Sequence, residues 1–283
     1  MSLGILTNVA ATYAENNLNQ TQNSLNTVLQ QLSSGSRINS GADDAAGLSI
    51  SDGLAANEAA LTQSAANAQN GVGLLQTADG ALAQVTNLLN RATTLATEAS
   101  NGGLTTDQSA AANTEFQSIV TEIGNIGTST NFNSTAVFSS TATDFVVSDG
   151  TTSGTTTFAD TIGALTSASV GTASGGGAGQ SLSADVLTSQ TAAQTALTDI
   201  TAAVADVANQ RGSIGANINQ LNAASNVASS EEVNLSAAQS SITETNYGQA
   251  TSDLAKYQVL SQTGISALAQ ANSVQQEILK LLQ

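Results

Sequence analysis

The chain has 283 residues and a formal net charge of −16, and it contains no His, no Cys and no Pro. Without imidazoles and thiolates it lacks the commonest general bases, nucleophiles and zinc ligands, and its acidity disfavours binding to nucleic acid or to anionic membrane surfaces. We therefore predict that it is not an enzyme, needs no cofactor or metal, and has no nucleic-acid or membrane partner.

The N-terminal element is an amphipathic segment, residues 1–35. Its apolar residues recur at helical spacing among Asn, Gln, Ser and Thr, which predicts a helix with one apolar stripe. The stripe contains Leu18, Leu25, Val28 and Leu32. Gly35 is suited to a left-handed helix cap, and residues 36–47 are predicted to form an irregular connector.

Two long heptad repeats follow. Every seventh residue from Leu54 to Ala96 is Leu or Ala, and every seventh residue from Val186 to Ile242 is aliphatic. A seven-residue apolar period is typical of long helices packed lengthwise. We predict helices over about 48–100 and 186–242, packed mainly against each other within the chain.

A further helix is predicted between the repeats. Asn101-Gly102-Gly103 should stop the first long helix, and Thr105 can cap the next one. Its apolar positions are Phe116, Ile119, Ile123 and Ile126.

Residues 129–185 are rich in Thr, Ser and Gly and nearly free of charge. The runs Phe145–Val147 and Thr155–Phe158 indicate a small β-hairpin, and residues 174–179 a flexible loop. A terminal amphipathic helix is predicted over about 250–282, and its stripe contains Leu254, Tyr257, Leu268, Val274, Ile278 and Leu281. The predicted fold class is mainly α: a long antiparallel helical rod or bundle with terminal coiled-coil helices and a small β-hairpin region.

Two segments resemble the signatures of bacterial flagellins. Residues 32–47 read LSSGSRINSGADDAAG, and residues 264–282 read GISALAQANSVQQEILKLL. Asn131-Phe132-Asn133-Ser134 resembles the flagellin turn that opens a hairpin, with Ser134 where Gly is usual, which is unfavourable for a tight primed turn.

The resemblance implies a subunit that self-assembles into the flagellar filament. It implies an inner tube domain from residues 1–41 and 243–283, a rod domain from 42–138 and 186–242, and a small outer β/loop insert at 139–185. The ten stripe residues named above would then pack between subunits, and Arg37, Asn39, Asp43 and Asp44 would belong to the connector between tube and rod. Adjacent carboxylates such as Asp43 and Asp44 are weak evidence for a metal site.

The resemblance also implies partners. These are other copies of the chain, an export chaperone, cap and junction proteins, and a host Toll-like receptor contacting Arg91, Leu95 and Glu115. The N-terminus lacks the basic region of a secretory signal, so we expect an extracellular protein of the flagellum, exported by the type III route without a cleaved signal peptide.

Three other functions remain open from the sequence. One is the hook–filament junction protein of the flagellum, and another is a non-flagellar exported coiled-coil adhesin. The third is an enzyme carried in the insert, with Asp144, Asp149 and Asp160 as the candidate acidic residues.

Overall fold

The computed structural model describes residues 8–148, 156–174 and 176–281, of which most are helical. The helices in these residues are α1 (Val9–Ser34), α2 (Ala45–Ala99), α3 (Thr106–Ser129), α4 (Gln190–Thr243) and α5 (Tyr247–Leu281). The strands are β1 (Asn131–Phe132), β2 (Thr135–Ala136), β3 (Thr143–Val146), β4 (Thr157–Asp160), β5 (Val170–Thr172) and β6 (Ala178–Gln180). The predicted fold class is confirmed. None of the helices in the described residues is long and apolar enough to cross a membrane.

The chain divides into two compact units. The terminal unit comprises Met1–Ala56 and Asn234–Gln283, and the central unit comprises Asn57–Val233. The division falls inside α2 and α4, so each of these helices contributes to both units.

The core of the central unit is built on the two heptad repeats. The heptad positions from Leu61 to Ala96 and from Ala193 to Ala228 are all 4% exposed or less. Side chains from α3 complete this core, with Phe116 and Ile123 fully buried. The central parts of both repeats therefore pack within the chain, as predicted.

The long helices approach closely within the central unit. A Cβ on Gly71 of α2 would lie 2.8 Å from Leu221 Cδ1 of α4, so the contact depends on the missing side chain. Further along, Arg211 Nε and Nη2 donate to the two carboxylate oxygens of Asp79 at 2.7 and 3.2 Å. These pairings run in opposite directions along the two helices, which are therefore antiparallel.

The helix ends follow the predicted capping chemistry, with one correction. Gly35 ends α1 in a left-handed conformation, and Thr105 opens α3 with a capping box that includes Gln108. The second long helix begins at Gln190 rather than 186, because the Ser189 side chain accepts a hydrogen bond from the Ala192 N–H. Val186, the first heptad position, thus precedes the helix and is 39% exposed.

The strands form three antiparallel two-stranded hairpins. Asn133 and Ser134 join β1 to β2 with φ values of 48° and 64°, so the primed turn forms with Ser at its second position. The predicted hairpin is confirmed by β3 and β4, in which Phe145 opposes Phe158; its turn, residues 149–155, lies outside the described residues.

The segment that follows β4 contributes directly to the core of the central unit. Ile162, Leu165, Val170 and Leu182 are buried there. The buried Gln210 of α4 donates from Nε2 to the Ile162 carbonyl. This part of the predicted insert is therefore packed onto the helices rather than standing apart from them.

Candidate functional site

Helices α1 and α5 form an antiparallel pair. At one end of the pair the Tyr247 hydroxyl would lie 2.8 Å from a Cβ on Gly35, and in the middle Gly264 faces Leu18. At the other end Asn8 Nδ2 donates to the Ala271 carbonyl at 3.0 Å. The N-terminal and C-terminal helices of the chain are thus each other's packing partner.

The predicted stripe residues lie mostly inside this pair. Val28 is buried, whereas Leu18, Leu25, Leu32, Leu254, Tyr257 and Leu268 are half-buried. Val274 is exposed, and the side chains of Ile278 and Leu281 lie outside the described part of the structure. The regularity that identified the stripe therefore reflects packing of α1 on α5 within one chain.

A second set of apolar side chains on the pair stays exposed, and we call it the outer set. Its members are Val9, Tyr13, Leu29, Val259, Leu260 and Ile265. Tyr13 and Val259 are 68% and 62% exposed. Val259 is five residues beyond Leu254, about 140° around the helix, so it lies on the side of α5 away from the stripe. Sequence reasoning missed Tyr13 and Leu29.

A shallow groove runs along the line where α1 and α5 meet. It has a volume of about 250 Å³ and is lined by Asn17, Leu18, Thr21, Leu260, Thr263, Gly264 and Ala267. Gly264 deepens it, since a Cβ there would lie 3.2 Å from Leu18 Cδ1. The groove and the outer set together give the pair an apolar surface on several sides.

The pair carries almost none of the chain's charge. Glu15 is the only charged residue of α1, and α5 has Asp253, Glu277, Lys256 and Lys280, whose charges cancel. The Lys256 ammonium sits 5.4 Å from the centre of the Tyr257 ring. If another protein surface covered the pair, few charged side chains would lose contact with water, so the desolvation cost would be low.

The predicted connector residues are held by specific hydrogen bonds. The Asp43 carboxylate accepts from the N–H groups of Asn39 and Ser40 at 3.0 and 2.8 Å, and from the Ser40 hydroxyl. These donors, the Asn39 N–H foremost, hold the pKa of Asp43 below its usual value. Asp44 accepts from the Gly47 N–H at 2.9 Å at the start of α2. Both carboxylates therefore have structural partners.

Arg37 and Asn39 complete this connector. The Arg37 guanidinium donates to the Ile242 carbonyl at 2.6 Å, and its backbone N–H donates to the Thr243 carbonyl. A cation at these carbonyls satisfies groups that the last turn of α4 leaves free, and it complements the helix dipole. Asn39 Nδ2 donates to the Ser36 carbonyl.

The two connectors of the terminal unit are bonded to each other. Ser36 forms an antiparallel bridge with Glu244, and the Thr245 N–H donates to the Gly35 carbonyl at 3.0 Å. The α1–α2 connector and the α4–α5 connector thus form one hydrogen-bonded junction. No local sequence pattern predicts this pairing, because the bonded residues are about two hundred positions apart.

The three predicted receptor-contact residues differ in exposure. Arg91 of α2 donates from Nε and Nη2 to the two Glu115 oxygens of α3 at 2.6 and 3.0 Å, and both side chains are exposed. This pairing raises the pKa of Arg91 and lowers that of Glu115, chiefly through the hydrogen bonds. Leu95 is 3% exposed and belongs to the core.

Two acidic residues that the sequence did not mark as candidates lie close together: Asp185 precedes α4, and Asp199 lies within it. Asp185 and Asp199 are close, and Asp185 Oδ2 is buried without a hydrogen-bond partner among the described residues. Burial, and then the Asp199 charge, raise the pKa of Asp185 to about 6. Asp199 accepts from Gln180 Nε2 at 3.0 Å.

The acidic residues considered for an enzyme in the insert do not form such a pair in the described residues. Asp144 is exposed. Asp149 lies outside the described residues, as does the side chain of Asp160.

Comparison with known proteins identifies relatives over nearly the whole chain. Residues 5–143 match the family model of the bacterial flagellin N-terminal helical region, and residues 197–282 match that of the C-terminal helical region. A flagellin of Halalkalibacterium halodurans is 35% identical over 94% of this chain and 93% of its own length. The flagellar filament 30.7 kDa core protein of Treponema maltophilum is 28% identical over 97% of this chain and 98% of its own. A crystal structure of Bacillus cereus flagellin is 24% identical and covers 57% of this chain and 88% of its own, with a TM-score of 0.47.

Proposed function

Because the chain belongs to the bacterial flagellin family, and is therefore a structural subunit of the flagellar filament that drives motility, we propose that subunits contact one another through the outer set on the α1–α5 pair. The stripe residues would then build the pair, and the outer set would join one pair to the next. Nothing in the comparisons favours the junction-protein or adhesin alternatives.

The main support for this proposal is that large apolar side chains are exposed on several sides of the α1–α5 pair. Side chains as large as Tyr13, Val259 and Ile265 are exposed on a pair of only two helices. Such surfaces indicate that another protein surface covers them in the assembled state. A helical homopolymer supplies such cover, because each copy presents the same surfaces to several neighbours. The near-neutral charge of both helices fits close packing of identical copies.

A single substitution tests the outer set. Burying the exposed part of Val259 is worth about 1 kcal/mol per subunit, so Val259→Gln should raise the critical concentration for seeded filament assembly about fivefold. Val227→Gln is the matched control, since Val227 of α4 is similarly exposed, at 57%, but lies in the central unit. Equal effects of the two substitutions would show that the terminal pair has no special role in assembly.

A truncation tests the pair as a whole. Deleting residues 247–283 removes α5 and uncovers the stripe of α1. We expect the shortened chain to remain monomeric in analytical ultracentrifugation and to form no filaments on seeds. Filaments from the truncated chain would refute the assignment of subunit contacts to the pair.

The domain assignment is part of the same proposal. Residues 1–41 and 243–283 would form the inner tube, residues 42–138 and 186–242 the rod, and residues 139–185 an outer insert. The helices are interrupted near residues 41 and 243, which supports a boundary there, although the compact units divide further along the chain, inside α2 and α4.

The filament lies outside the cell, and we propose that the chain reaches it by type III export without a cleaved signal peptide. An export chaperone and the cap and junction proteins would be its partners. A Toll-like receptor would contact Arg91 and Glu115, since Leu95 is buried. An unchanged receptor-reporter signal after Arg91→Ala would argue against that contact.

A further inference from the structure

We propose that Asn101 is a site of spontaneous deamidation through a cyclic imide formed with Gly102. The chain has two Asn-Gly pairs, Asn70–Gly71 and Asn101–Gly102. Glycine after asparagine leaves the backbone nitrogen unhindered, and asparagine is a thermolabile residue. The first pair lies within a helix and the second in an exposed turn, so we expect them to deamidate at different rates.

Asn101–Gly102 lies between the end of α2 and the start of α3, and both residues are exposed. Among the described residues, neither the Asn101 carboxamide nor the Gly102 N–H has a hydrogen-bond partner. The neighbouring backbone is bonded, with Asn101 N–H donating to the Glu98 carbonyl at 3.2 Å and Gly103 N–H to the Asn101 carbonyl at 2.6 Å. The electrophilic carbon and the attacking nitrogen are thus both free in a solvated turn.

Asn70–Gly71 provides the contrast within the same chain. It lies in the interior of α2, where the Gly71 N–H donates to the carbonyl four residues earlier. Gly71 is also buried, against Leu221 and Phe145. Its nitrogen can attack only after the helix opens locally, which lowers the rate in proportion to the open population.

Deamidation of Asn101 needs only base and water. Base removes the Gly102 N–H proton, and the nitrogen attacks Asn101 Cγ and forms a new C–N bond. The bond from Cγ to Nδ2 then breaks, and ammonia leaves with a proton from the medium. Water opens the resulting succinimide at either carbonyl, giving aspartate or isoaspartate at this position. The reaction involves no oxidation or reduction.

The new carboxylate at position 101 would be electrostatically unfavourable. It follows the C-terminal end of α2, where free carbonyls already give a partial negative charge. The turn also touches the start of α4, since a Cβ on Gly102 would lie 3.2 Å from Gln190 Oε1. Ageing of the protein should therefore loosen the α2–α3 turn first.

The test compares the two pairs by peptide mass mapping of the purified full-length chain kept in mildly alkaline buffer. In the folded chain Asn101 should deamidate at least about tenfold faster than Asn70. In the chain unfolded by urea the two rates should become equal. Equal rates in the folded chain would overturn the proposal.

Two glycine variants identify the attacking nitrogen. Gly102→Ala hinders it and should slow loss at Asn101 by at least about tenfold, while the flexible Gln190 side chain makes room for the methyl group. Gly103→Ala is the control, because its Cβ meets no atom within 4 Å and it leaves the Asn-Gly pair intact. Circular dichroism checks that both variants fold, and equal slowing by both would also refute the mechanism.

Discussion

Asp185 should make the folded chain more stable in mild acid than at neutral pH. Its pKa is raised to about 6 in the folded chain, against an ordinary value of 3.8. Between these values the folded state binds more protons than the unfolded state, so the free energy of unfolding rises as the pH falls from 7 towards 4. Below the ordinary value both states are protonated, and this contribution stays constant.

The size of the effect follows from the same two values. Their difference corresponds to at most about 3 kcal/mol, and we discount it to about 1 kcal/mol because Asp185 is only partly buried and solvent screens its charge. Asp185→Asn removes the charge at every pH. The variant should therefore melt about 2–4 °C above the parent at neutral pH.

Thermal unfolding followed by circular dichroism at a series of pH values measures this difference. The advantage of Asp185→Asn should shrink through the interval from pH 7 to 4 and be gone at its acid end. Asp144→Asn is the control, because Asp144 is an exposed carboxylate of the same central unit. An advantage that persists unchanged at pH 4, or that Asp144→Asn reproduces, would refute the reasoning.

Three further predictions concern local structure. Thr105→Ala should lower the free energy of unfolding by about 1 kcal/mol in urea titrations, because the α3 capping box is lost; Thr105→Ser should keep it. Gly71→Ala should destabilise by about 1–3 kcal/mol through overpacking against Leu221, whereas Gly80→Ala, with open space at its Cβ, should be neutral or stabilising. Asp43→Asn should abolish an acid-dependent loosening of residues 39–44 in hydrogen exchange. The parent should show that loosening as the pH falls through the lowered pKa of Asp43, where the stabilising carboxylate is protonated.

The long helices were predictable because their signals are local and periodic. Heptad positions such as Leu75 and Ile200 recur over many turns, and capping residues such as Gly35 and Thr105 act within a few residues of themselves. The predicted start of α4 lies four residues too early, because the apolar period begins at Val186 and the helix begins only at Gln190.

The candidate site was less predictable, for a physical reason. Apolar periodicity shows which residues are buried but not whether the covering surface belongs to the same chain. Residues such as Leu18 and Leu254 are half-buried in the α1–α5 pair, and their contact with other subunits stays a prediction. Exposed members of the outer set, such as Tyr13, are distinguished from the stripe only by their exposure on the assembled pair.

The junction between the two connectors constrains the order of folding. Its bonds join residues such as Ser36 and Thr243, which are 207 positions apart, and the bond from Asn8 to Ala271 spans 263. Contacts of such sequence separation close very large loops and form late. Neither terminal helix can meet its partner until both ends of the chain have been made. A chain held extended therefore lacks the α1–α5 pair, and the outer set is brought together only after both terminal helices are free to meet.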